Sequence, residues 1–147
     1  MDLYKTWKNG EKFTLRALEL LFIYLGFGSR IEKSAELFEA YDVDCTSSLE
    51  RAELEEMFDD LYHIFVEGFV EYSVKVETVE DKRKSLLDYQ TLLSSKKDGS
   101  KDAFVKLFFA KDTEDKVDKS TFIVNLSTEV NSNLLSTCGF RRFLSGT

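Results

Sequence analysis

Asp42-Val43-Asp44-Cys45-Thr46-Ser47-Ser48-Leu49-Glu50-Arg51-Ala52-Glu53 is the stretch on which the reading of this chain turns. Within its twelve residues, oxygen-bearing side chains stand at 42, 44, 46, 47, 48, 50 and 53. Leu37, Phe38 and Tyr41 precede it and Leu54, Met57, Phe58 and Leu61 follow it, in both cases at helical spacing. The pattern is helix, acidic loop, helix.

Six to eight hard oxygens at about 2.3–2.6 Å suit calcium, and a twelve-residue loop can deliver them from alternate places and a bidentate closing Glu. On that requirement Asp42, Asp44 and Thr46 are the first three ligands and Ser48 offers its backbone carbonyl. Glu50 acts through water or directly, and Glu53 closes the site. Leu49, at the eighth place, is expected to pack inward while its backbone pairs with a neighbouring loop. Magnesium, smaller and strictly octahedral, suits a bidentate Glu less well.

Loop and flanks together resemble an EF-hand of the calmodulin superfamily, over Leu37 to Leu61. The resemblance implies a helix–loop–helix unit, calcium as ligand and pairing with a second hand. Phe104 to Leu126 is the candidate partner: Leu107 and Phe108 match Leu37 and Phe38, Val117 matches Leu49, and Phe122 matches Leu54. Its loop, Asp112 to Thr121, is ten residues long, ends in Thr, and carries Lys116 where a ligand is wanted. It is expected to support the first hand without holding metal, with Asp112, Glu114, Asp115 and Asp118 as solvated charges. Trp7 to Phe13 with the helix after Thr14 resembles the exit half of a further hand. These features resemble calcineurin B, the neuronal calcium sensors and calaxin-type ciliary proteins.

The first loop departs from the pattern at Ser47, where the turn wants Gly, and at Thr46, a neutral ligand. A non-Gly residue at positive φ costs about 1–2 kcal/mol, on the order of five- to thirty-fold in affinity. The expectation is one calcium site at most, and the alternative is a loop that keeps its shape without metal.

The expected fold is all-α: a paired EF-hand lobe with an extra amino-terminal helix and a helical insertion between the hands. Helices are predicted over 14–26, 31–41, 48–69, 71–88, 101–110 and 119–137. Ser94 to Lys101 reads as a linker between them. One domain is expected, divided into 1–30, 31–70, 71–101, 102–137 and a tail, 138–147. The helix at 14–26 is apolar nearly all round, so it should be buried on most sides or docked on a partner.

Among 147 residues, 20 are basic and 27 acidic, giving a formal charge of −7 that disfavours nucleic acid as a partner. Leu15 to Phe27 is too short to span a bilayer and carries Arg16 and Glu19. Cys45 and Cys138 are far apart and read as reduced thiols, and the expected location is cytoplasmic, with cytoskeletal or ciliary association. The lone His63 has no nucleophile–base or metal-ligand pattern around it, and Asp59 and Asp60 point to different faces of one helix, so an enzyme is not expected. The function expected is calcium-responsive binding of a target protein, through an amphipathic helix docking at Met57, Phe58 and Leu61. The alternative is a constitutive structural subunit of a cytoskeletal, ciliary-axonemal or motor assembly.

Overall fold

The computed structural model describes residues 15–109 and 114–146. Thr14, the Trp7–Phe13 segment and Asp112 lie outside them. The described chain is mostly helical, as expected. Helix α1 (Leu15–Leu25) leads into α2 (Arg30–Tyr41), which opens on a full capping box. The Ser29 hydroxyl accepts from Glu32 N–H at 3.2 Å, and the Glu32 carboxylate accepts from Ser29 N–H at 2.7 Å. Two orphan amide groups are thereby satisfied reciprocally.

The helix predicted over 48–69 begins later. Ser48–Glu50 is a strand, β1, and α3 spans Arg51–Tyr62. The strand exists because its neighbour is Lys116–Asp118, β2, in an antiparallel pair with Ser48 opposite Asp118, Leu49 opposite Val117 and Glu50 opposite Lys116. Arg51 N–H to the Asp115 carbonyl (3.2 Å) and Lys119 N–H to the Ser47 carbonyl (3.3 Å) extend this ladder. A wider π turn follows over His63–Gly68, then α4 (Phe69–Val76).

The helix predicted over 71–88 is broken after Val76. Glu77 leaves the helical region, its side chain accepts from Val79 N–H at 2.9 Å, and its carbonyl accepts from Arg83 at 2.7 Å. Helix α5 then runs unbroken over Glu80–Lys106, so Ser94 to Lys101 is helix and not linker. Tertiary contacts override the weak local propensity. Leu93 is buried, Lys97 and Lys101 reach Asp59 at 3.4 and 2.8 Å, and the Lys97 ammonium lies 4.6 Å from the Tyr62 ring centre.

The last predicted helix, 119–137, is also divided. Helix α6 ends at Ser127, a 3-10 turn covers Asn131–Leu135, and α7 spans Thr137–Ser145. Gly139 sits against the Asn133 carbonyl, where a Cβ would meet the oxygen at 1.9 Å, so this turn admits only glycine. The carboxy-terminal stretch is therefore no tail. Phe140 and Leu144 are buried, and Gly146 ends α7 at φ 76°.

A row of aromatic rings ties the two halves together. Phe38 meets Phe122 edge-on at 5.5 Å, and Phe122 stacks on Phe108 at 4.7 Å. Phe108 meets Phe104 at 5.4 Å, Phe104 meets Phe58 at 5.6 Å, and Phe58 meets Phe140 at 5.6 Å. Such pairs add about 0.5–1.5 kcal/mol each beyond area burial. Among the described residues, no helix is long and apolar enough to cross a membrane.

Candidate metal loop

The chain leaves α2 at Asp42, whose N–H donates to the Phe38 carbonyl at 3.0 Å. Asp42 then organises the turn. Its Oδ1 accepts from Thr46 N–H at 2.9 Å and its Oδ2 from Ser47 N–H at 3.1 Å. Asp44 Oδ1 lies 3.3 Å from the same Thr46 N–H. Two residues here are left-handed, Cys45 at φ 56° and Ser47 at φ 61°. Neither is glycine, so the turn carries strain that the bonds to Asp42 and Asp44 hold in place.

Thr46 Oγ1 donates to the Ser48 carbonyl at 3.0 Å. Leu49 is fully buried and Val117 nearly so. Glu50 faces outward and its Oε1 lies 3.0 Å from Lys116 Nζ. The hydrogen bond and charge of Glu50 raise the Lys116 pKa, with further help from Asp115 and Asp44. Glu53 occupies the first turn of α3 and its Oε2 accepts from Glu50 N–H at 2.8 Å.

Asp42, Asp44, Thr46 and Ser48 are thus gathered in one hydrogen-bonded turn. Glu50 and Glu53 stand at its exit, engaged with Lys116 and with backbone. No group of three or more His, Cys, Asp or Glu side chains is arranged to hold a metal ion among the described residues. The donor set is all oxygen, four carboxylates with the Thr46 hydroxyl and the Ser48 carbonyl, and its chemistry fits a hard cation. Taking one up requires Glu53 to leave Glu50 N–H and Thr46 to release the Ser48 carbonyl.

Two residues of the second loop have roles other than those expected: Lys116 is an ion-pair partner, and Asp118 is a helix cap and not a solvated charge. Lys116 answers Glu50 across the ladder, a relation that follows once Leu49 is set opposite Val117 in antiparallel register. Asp118 is the cap of α6: it accepts from Thr121 N–H at 3.0 Å and Thr121 Oγ1 at 2.7 Å and also from the Ser120 hydroxyl. The hydroxyl of Ser120 first, then Thr121, holds its carboxyl far below the ordinary range. The Asp118-to-Thr121 spacing, a capping signature, was the available signal.

The other residues singled out in the sequence lie away from this turn or point out of it. His63 Nδ1 lies 2.6 Å from Glu67 Oε2 on the exposed side of the π turn. Asp60 accepts from the Tyr41 hydroxyl at 2.7 Å, and burial first, then this bond and the Asp60 charge, raise the tyrosine pKa. Cys45 and Cys138 are exposed free thiols. Compared with models of protein families, with curated proteins and with solved structures, the chain matches none of them.

Proposed function

We propose that this chain is an EF-hand-type interaction protein in which Asp42 to Glu53 takes one calcium ion and the partner loop takes none. The observation that carries the reading is the Leu49–Val117 bridge, which couples two loop-and-helix units back to back beside the strained turn at Ser47. Asp42, Asp44, Thr46, Ser48, Glu50 and Glu53 would hold the ion, drawing Glu50 and Glu53 from their present partners toward Asp42 and Asp44. In the second unit, Lys116 and the Asp118 cap occupy the corresponding stretch.

A constitutive structural subunit is the second reading, and one arrangement favours it. Met57, Phe58 and Leu61, the expected docking surface, are fully buried, with Phe140 of α7 packed against Phe58. Docking there would require α7 to move.

Amide chemical shifts followed during a calcium titration separate the two. The calcium reading expects the Ser47 and Glu50 amides to move and saturate at one equivalent. Amides that stay in place through millimolar calcium leave the structural subunit.

A further inference from the structure

Helix α1 is apolar nearly all round, with Arg16 and Glu19 its charged residues, yet the fold buries only one side of it. Leu20, Ile23 and Tyr24 are buried against the core. On the opposite side Leu15, Leu18, Phe22 and Leu25 follow one another at steps of three and four residues, and they are exposed at 81, 36, 75 and 61%. Phe27 and Ile31 continue the exposed surface toward α2. Single exposed apolar residues are ordinary; a contiguous stripe marks an interaction surface.

The stripe floors a groove of about 430 Å³ against the outer side of α2. Among the described residues its polar lining is Glu19, Glu36 and Glu39, with no basic side chain. The nearby cations are turned elsewhere. Arg16 lies 4.2 Å over the Tyr41 ring and 3.8 Å from Glu56, and Lys33 donates to the Tyr24 carbonyl at 3.3 Å. Among the described residues, Glu39 alone of the three has a cation drawn to it, Lys119 from α6.

We infer that this face of α1 docks a basic amphipathic helix of another protein, its apolar stripe on Leu15, Leu18 and Phe22 and its Lys or Arg flanks on Glu19 and Glu36. The three-four spacing is the seam a partner helix fits. The acidic rim selects the charge of the partner. A second copy would set glutamate rim against glutamate rim, and an anionic bilayer would be repelled. The inference rests on the protein-binding half of the reading above and is independent of the metal.

The test is fluorescence anisotropy of a labelled Leu/Lys peptide of about 18 residues, five helical turns, with leucines at three-four spacing. It is titrated with the full chain, in chelator and in calcium. A Leu/Glu peptide of the same pattern is the control. The Leu/Lys peptide is expected to bind saturably and the Leu/Glu peptide not to bind. Phe22→Glu, at an exposed position, is expected to weaken binding by about tenfold or more while leaving the helical circular dichroism intact. Glu19→Lys with Glu36→Lys is expected to weaken it too, and Val124→Glu, exposed on α6, to leave it unchanged. Equal binding of both peptides, or binding indifferent to Phe22→Glu, overturns the inference. So does a wild-type dimer that Phe22→Glu disperses, which gives the face to a second copy. Blue-shifted emission of Trp7, the single tryptophan, that reddens in Phe22→Glu without peptide binding gives it to the chain's own amino-terminal segment. Peptide failure beside a one-equivalent calcium titration removes this inference alone; the reverse result removes the metal alone.

Discussion

Leu49 and Val117 stand opposite each other in the antiparallel ladder that joins the two loops, both with their side chains in the core. The strand pair is only three residues long, so backbone bonding alone would not hold the units together. Side-chain burial must do so. Leu49→Ala is expected to cost about 2–5 kcal/mol. Val117→Ala should cost less, and the double variant should depart from additivity by about 0.5 kcal/mol or more because the two sites share neighbours. Urea denaturation of the four proteins checks this.

Ser47 tests how much strain the turn stores. At φ 61° a glycine relieves about 1–2 kcal/mol of steric cost, partly offset by about 0.4–1 kcal/mol of extra unfolded-state entropy. Ser47→Gly is therefore expected to stabilise the chain by about 0.5–1 kcal/mol. Ser47→Val, β-branched at positive φ, should destabilise it. Denaturation midpoints with unchanged slopes would show both.

The Asp118 cap makes a pH prediction. Its folded carboxyl lies below its unfolded value, near pH 3.9. Its contribution is thus present above that value and is lost as pH falls through the lower folded value. Asp118→Asn is expected to lower the melting temperature at pH 7 and to flatten its decline in acid. Parallel acid melts of the two proteins would contradict the cap as described.

Phe140 tests whether α7 belongs to the core. Its ring is fully buried and packs on Phe58 at 5.6 Å. Phe140→Ala is expected to cost about 3–5 kcal/mol. A cost under about 1 kcal/mol would mean that α7 leaves its place readily, as docking at Met57 and Leu61 would need.

What the sequence made legible follows from where its signals are local. The flanking helices of the acidic loop carry strong 3.6-residue periodicity, and the inward role of Leu49 and the partnership with Val117 were readable from loop spacing. The positive φ at Ser47 was readable from turn chemistry. The helical state of Ser94 to Lys101 was not, because it depends on Asp59 and Tyr62, some forty residues away along the chain. The burial of Phe140 was hidden for a similar reason: nothing near Arg141 and Arg142 announces Phe58. The exposed half of α1 was invisible to a periodicity argument, since a helix apolar nearly all round looks much the same from either side.

Asp42 to Glu53 is proposed to take a single calcium ion. Isothermal titration of the wild type with calcium, beside Glu53→Gln, tests it most directly. Replacing the closing carboxylate by an amide leaves an oxygen for the Glu50 N–H bond but deprives the site of its bidentate ligand. One site is expected in the wild type and none in Glu53→Gln, which lacks the second charged oxygen of the closing ligand. No calcium heat in the wild type, or the same isotherm in both proteins, would contradict it.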